Sequence, residues 1–234
     1  MMTVKIMEFL PNGYTLEAGS GAFPLSTDSI VLGHFVHLPK NARVLDLGSG
    51  CDTLGILLCA GNAGCRVTGV ELSEDAHAAA LENIRHNGLH SRMNSICADL
   101  RVVPLTPGSF DVCVSNPPYF TGGPASKTNP LARREDHCSP AQLFAAAARA
   151  LKFGGDFFLV HKPERLAELI ALGAKENLEA KRLMMLRHKE GGSFSLILLQ
   201  FRKGARPGLK IEEAALFDPE GHPTDFCKKV YHIQ

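Results

Sequence analysis

Residues 43–61 read "RVLDLGSGCDTLGILLCAG" and carry three signals in one short run. The stretch "RVLDLG" at 43–48 has the composition of a buried strand. Gly48 and Gly50 interrupt it, and "TLGILLCAG" at 53–61 reads as a helix. "RVTGVEL" at 66–72 follows as a second strand, so the helix is the crossover between two parallel neighbours. A glycine-rich turn between strand and helix lets backbone approach a ligand and directs helix N–H groups at it.

The alternation continues along the chain. Ser73 caps a helix with Glu74 and Asp75 in its first turn, Ala76, Ala80 and Ile84 on one face, and Gly88 at its end. "NSICAD" at 94–99 is the third strand and "DVCVSN" at 111–116 the fourth. Residues 121–138 are rich in Gly, Pro, Ser, Thr and charge, too long for a plain connection, and read as a substrate loop or lid. Ser139-Pro140-x-Gln142 gives an N-cap, an N1 proline and a capping-box glutamine for a helix expected to stop at Gly154-Gly155. "DFFLVHK", "EAKRLMMLR" and "SFSLILLQFRK" are the fifth, sixth and seventh strands, with a helix over "PERLAELIALGAKEN" after the fifth. Gly191-Gly192 makes the last two strands an antiparallel hairpin. The expectation is an α/β fold with a seven-stranded, mostly parallel sheet and helices on both faces.

Composition suits one main domain, since 234 residues with 45% hydrophobic content bury a sizeable core. No apolar run reaches the roughly 20 residues of a spanning helix, and "MMTVKIMEFLPNG" lacks a signal-peptide pattern, so a cytoplasmic protein without a membrane partner is expected. Seven cysteines with no Cys-x-x-Cys pair read as reduced, mostly buried thiols. His34/His37 and His86/His90 lack ligand partners at a recognised spacing, so no metal site is expected. The net charge of +1 does not announce nucleic-acid binding, yet residues 179–210 hold eight bases against two acids. That run suits either a phosphate-tracking patch or solvated strand edges.

Acids end three successive strands or begin their turns: Asp46, Glu71 and Asp99. Glu71 lies 21 residues beyond Gly50, a spacing at which an acid takes both ribose hydroxyls of a nucleotide. The fourth strand ends in Asn116-Pro117-Pro118-Tyr119, a stiff turn placed where open α/β sheets bind ligands.

The order Asp-x-Gly-x-Gly, acid, Asp, Asn-Pro-Pro-Tyr resembles the amino-group methyltransferases that use S-adenosylmethionine. The seven strands with their terminal hairpin resemble the Rossmann-like class I methyltransferase fold. "GAFPLSTDSIVLGHF" at 21–35, "NPPYF" at 116–120 and "ARREDHCSPAQLFAAAARALKFGGDFFLVHKPERLAEL" at 132–169 are similar to the valine-tRNA adenine-N6 methyltransferase family. The resemblance implies S-adenosylmethionine as cofactor and RNA, most specifically tRNA, as partner, with a monomer favoured. It implies that Asp46, Gly48, Ser49 and Gly50 shape the methionine pocket, that Glu71 and Leu72 meet the ribose, and that Asp99 and Leu100 meet the adenine. Asp28 belongs to an upstream segment that closes over the cofactor, with helix capping as its alternative, and Phe23 is a pocket or core residue.

In this family Asn116 and the Pro117 carbonyl accept the two hydrogens of the target amine, Pro118 adds no competing donor, and Tyr119 with Phe120 receives the extruded base. Arg133, Arg134 and Glu135 match an element read as part of the RNA approach. Residues 1–40 are then a segment on the cofactor site, 41–203 the methyltransferase domain, and 204–234 its extension, where "KKVYHI" forms a terminal helix packing on the body or meeting RNA.

One residue departs from the pattern. Asp52 stands where the family continues its turn with glycine, and is expected to pair with the cofactor's ammonium or to face solvent. Two other functions remain: methylation of a protein glutamine amide, as in release-factor methyltransferases, and a non-catalytic RNA- or partner-binding scaffold.

Overall fold

The computed structural model describes residues 6–10, 13–18, 26–117 and 138–233. In chain order the elements are β1 (Ile6–Phe9), β2 (Thr15–Ala18), α1 (Thr27–Phe35), β3 (Arg43–Leu47), α2 (Thr53–Gly61), β4 (Arg66–Glu71), α3 (Glu74–His86), β5 (Met93–Cys97) and β6 (Phe110–Ser115). Then follow α4 (Pro140–Ala150), β7 (Leu151–His161), α5 (Leu166–Lys175), β8 (Leu178–Lys189), β9 (Phe194–Lys203), β10 (Lys210–Phe217) and α6 (Asp225–Tyr231). The large sheet runs β10-β8-β9-β7-β6-β3-β4-β5, parallel except at β9.

Eight strands, rather than the expected seven, form this sheet. The extra one, β10, is "KIEEAALF", whose charges hide a strand from pattern reading. Those charges hold it at the sheet edge: Arg182 pairs with Glu212 at 3.1 Å and Arg187 with Glu213 at 2.8 Å, both reaching across from β8. Charged edges of this kind also discourage pairing with other chains. Within the basic run 179–210, Arg202 is matched by Asp156 and Lys210 by Glu212, so half of its eight bases meet acids on neighbouring strands or their own. The run is chiefly the charge lattice of β8, β9 and β10.

Local signals mostly act as their chemistry dictates. Ser139 and Gln142 form the capping box, with Ser139 N donating to Gln142 Oε1 at 2.8 Å. Ser73 accepts from the Ala76 amide to start α3, and Gly88 follows it at φ +64. The pair Gly154-Gly155, in contrast, does not end α4. The helix stops at Ala150, and both glycines lie inside β7. There Leu151 faces Phe110 while Asp156 faces Val112, so β7 carries extra residues at a bulge, and Gly154 turns through φ +79.

Helices cover the two sheet faces separately. One core joins Val31, Leu32 and Phe35 of α1, Leu54, Ile56 and Leu58 of α2, Ile84 of α3, and Cys227 and Val230 of α6. The other joins Leu143 and Phe144 of α4 to Leu169 of α5. Phe144 meets Phe157 and Phe201 edge-on at 5.3 and 5.2 Å, contacts worth about 1 kcal/mol each beyond area burial. The terminal helix thus packs on the body. Thr224 caps it, and Tyr231 donates to Thr27 Oγ1 at 3.1 Å.

Candidate active site

In an open sheet the ligand crevice forms where neighbouring strands send their connections to opposite faces. Here that place is between β3 and β6, whose following helices α2 and α4 lie on opposite faces. Ser115 Oγ donates to Leu47 O at 2.7 Å, tying the two strand ends together.

The turn after β3 is built on backbone. Gly48 and Ser49 both donate their amides to Val70 O, at 2.9 and 3.1 Å. Gly48 and Gly50 have φ of +73 and +58, and a Cβ added to either would meet nothing within 4 Å, so the outer face of the turn is open. Glu71 secures the turn from the end of β4: Oε2 accepts from Gly50 N at 2.9 Å and Oε1 from Ser73 N at 2.8 Å. Leu72 beside it is 41% exposed, an apolar surface next to the turn.

Beneath the turn the polarity is unusual. Asp46 and Asp52 are 2% and 0% exposed, and Asp46 Oδ2, Ser49 Oγ and both Asp52 carboxylate oxygens meet no hydrogen-bond partner within bonding distance among the described residues. Burial drives the Asp46 carboxyl well above the usual range; Asp52 and Glu71 add to this and the Gly55 amide opposes it. Burial also pushes Asp52 up to about 7, with the Ser49 hydroxyl opposing and Glu71 adding. The solvent-facing alternative for Asp52 is therefore excluded. Its backbone takes the left-handed conformation, φ +62, which aspartate tolerates better than most residues.

Asp99 sits one turn further along the same edge, but both its oxygens are held by the Arg101 guanidinium. Leu100 turns into the core on the α4 side. Asp28 lies in the first turn of α1 without capping it, since Ser26 accepts the Ser29 amide. Burial raises the Asp28 carboxyl and Lys162 opposes. Asn116 Nδ2 donates to Ser29 Oγ at 2.9 Å, joining α1 to the end of β6, and Pro117 is buried. Pro118, Tyr119, Phe120, Arg133, Arg134, Glu135 and Phe23 lie outside the described residues.

The strand ends thus gather Asp46, the glycine turn, Glu71, Leu72, Asp99 and Asn116 at one edge. Sequence reasoning missed Ser29, Lys162, Arg101 and Gly69. Only Arg101 had a usable signal, its position two residues after Asp99; the Ser29–Asn116 contact spans 87 positions. A separate cleft of about 820 Å³ opens at the opposite edge of the sheet, near Lys152, Phe153, Arg182 and Arg202. Its charges are already matched by Asp111, Glu212 and Asp156.

Residues 27–180, which span the turn and the Asn116 strand end, match the family model "Methyltransferase small domain". The chain belongs to that family. This methyltransferase is 31% identical over 186 residues to the tRNA1(Val) (adenine(37)-N6)-methyltransferase of Aeromonas hydrophila, covering 78% of each chain. It is 30% identical over 224 residues to the like-named protein of Vibrio parahaemolyticus, covering 94% of this chain and 92% of that one. Among solved structures, a predicted O-methyltransferase from Agrobacterium tumefaciens superposes with a TM-score of 0.75 at 20% identity, over 88% of this chain and 96% of that one, a likeness of fold. As a methyltransferase it needs a methyl donor, and the residues present fit one at the turn. The open glycine backbone, the exposed Leu72 and the partnerless buried oxygens of Asp46 and Ser49 are the surroundings of a bound polar ligand rather than of a closed core.

Proposed function

We propose that the chain methylates adenine N6 in a tRNA, with S-adenosylmethionine as methyl donor and the anticodon-loop adenine of valine tRNA as the target. The names of its relatives in two genera support the tRNA and the nucleotide. The observation that carries the chemistry is the orientation of Asn116. With Nδ2 committed to Ser29, the side chain is left with Oδ1 as its acceptor.

S-adenosylmethionine supplies an electrophilic sulfonium methyl. The chain's part is to shape the nucleophile. Adenine N6 is a poor one because its lone pair is delocalised into the ring. Asn116 Oδ1 and the Pro117 carbonyl accept the two N6 hydrogens, which turns the lone pair out of the ring plane and aims it at the methyl. Transfer gives the nitrogen a positive charge and makes its proton acidic, so water suffices as base. The glycine turn and Glu71 would hold the donor, with Leu72 and Asp99 as the residues that would meet its nucleoside. Asp28 lies on α1 beside Ser29 and would close over the donor from that side.

An anticodon loop presents its bases without a duplex to melt, which suits an α/β domain that acts on an exposed base. Residues 41–203 are the catalytic domain, with residues 1–40 on the cofactor side and 204–234 as its extension. We place the reaction in the cytoplasm, with the monomer as its acting form. Among the described residues no helix is long and apolar enough to cross a membrane.

The test is incubation with methyl-labelled S-adenosylmethionine and unmodified total tRNA, followed by nucleoside mass spectrometry. N6-methyladenosine made by the wild type and absent with Asn116→Ala is the expected result. Label in release factor and none in RNA would instead assign a glutamine amide as acceptor.

A further inference from the structure

Four buried oxygens gather under the glycine turn: Asp46 Oδ2, Ser49 Oγ and both carboxylate oxygens of Asp52. They share one platform. Asp46 stands opposite Gly69 in the ladder between β3 and β4. The point where a Gly69 Cβ would lie is 2.1 Å from Asp52 Oδ1 and 2.6 Å from Ser49 Oγ. Asp52 therefore occupies the room that a glycine on β4 leaves, next to the carboxyl of Asp46.

Among the described residues, no lysine, arginine or histidine is one of the groups that act on either carboxyl. Among the described residues the charged group facing them is Glu71, at the end of β4; α2 and the turn bring the uncharged Cys51 and Cys59 thiols and the Ser49 hydroxyl, and β6 brings the buried Cys113 thiol. The Gly55 amide beside Asp46 and the Ser49 hydroxyl beside Asp52 oppose the rise without outweighing burial, so the two adjacent carboxylates do not both stay ionised, and a proton held by the pair removes one charge.

We propose that Asp46 and Asp52 form a proton-holding carboxyl pair beneath the glycine turn, and that binding of the cationic methyl donor expels this proton to solvent. The proposal rests on the assignment of the turn to that donor. The charges balance: the donor brings one net positive charge to the turn, and one proton leaves the pair for the buffer. The donor's ammonium then faces an ionised pair instead of a neutral one. Donor affinity consequently rises with pH, and one proton released per donor bound corresponds to a Kd falling about tenfold per pH unit while the pair is protonated. With glycine at position 52, Asp46 would stand alone and the linkage would shrink.

Calorimetric titration of the full chain with S-adenosylmethionine in phosphate, HEPES and Tris buffers tests this, because the dependence of heat on buffer ionisation enthalpy counts protons. The expected result is release of about one proton per donor near neutral pH, tightening of Kd between about pH 6 and about pH 7.5, and a markedly smaller release in Asp52→Asn and Asp52→Gly. Donor binding by the wild type with no proton exchange overturns the proposal. So does a release undiminished in both variants. Absence of donor binding in all three proteins, each folded by circular dichroism, overturns the cofactor assignment and the linkage with it.

Discussion

Asn116 Nδ2 donates to Ser29 Oγ at 2.9 Å, and Ser29 Oγ also accepts from Ser26 Oγ at 3.2 Å. An asparagine amide has a donor end and an acceptor end of nearly the same shape, so its use as an acceptor depends on a neighbour that holds the donor end. Ser29 is that neighbour, and it is a positioning residue rather than a catalytic one. Loss of one such bond, worth about 1 kcal/mol, should lower the single-turnover methyl-transfer rate of Ser29→Ala about five- to tenfold. Donor affinity should not change. Asn116→Ala should lose at least about a hundredfold. The double variant should be no slower than Asn116→Ala alone, and an additive loss would give Ser29 some other role.

The buried carboxyl of Asp52 makes stability depend on pH in a stated direction. Its folded pKa of about 7 lies above the ordinary 3.8. Between those values the folded chain keeps a proton that the unfolded chain has released. Its contribution to stability therefore falls as pH rises through that window and levels off above it. Asp52→Asn keeps the shape without the charge. Urea unfolding without donor should show the variant gaining on the wild type as pH rises from about 5 to about 8, by on the order of 2 kcal/mol. A constant difference across that range would mean that Asp52 does not titrate in it.

Gly69 and Asp52 should behave as a coupled pair. An alanine Cβ at 69 would lie 2.1 Å from Asp52 Oδ1 and must displace that side chain. Gly69→Ala should cost about 1–3 kcal/mol of stability, in the range of core overpacking. Asp52→Gly in the same chain should recover part of it, since the obstructing carboxylate is gone and only the Ser49 hydroxyl, 2.6 Å from the same point, still has to shift. Equal costs in both backgrounds, read from denaturant midpoints, would show that the conflict lies elsewhere.

Arg101 engages both oxygens of Asp99, the residue expected to receive the donor's adenine amino group. Arg101 is on the surface, and exposed ion pairs contribute little to stability. Arg101→Ala should leave the thermal midpoint nearly unchanged and tighten S-adenosylmethionine severalfold by freeing Asp99. Weaker donor binding in the variant, measured by fluorescence or calorimetry, would instead make Arg101 part of the binding surface.

The parts of this fold legible in the sequence are those set by local chemistry. The run 43–72 announced strand, turn, helix and strand because burial on both faces leaves near-continuous apolar stretches. Ser73 and the Ser139–Gln142 box announced helix starts because orphan amides there need acceptors. The eighth strand, 210–217, was not legible. Its glutamates are matched by arginines on β8, and a sequence does not show which neighbour a charge will meet. Gly154-Gly155 misled for a related reason: glycine permits positive φ at a helix end and at a bulge alike, and the neighbouring strand decides which.

For the site, the sequence by itself determined that acids and a glycine turn stand at successive strand ends and that Asn116 follows a buried strand. Parallel strands of one sheet present such ends at a common edge, so order along the chain becomes adjacency in space. Only the tertiary structure decided what each polar atom meets. It gave the Asn116 amide its serine, gave Asp99 to an arginine, and sealed Asp52 over Gly69 beside Asp46. Those contacts are made by side chains far apart in sequence, whose hydrogen bonds and protons are fixed by burial and distance, quantities that exist only once the chain is packed.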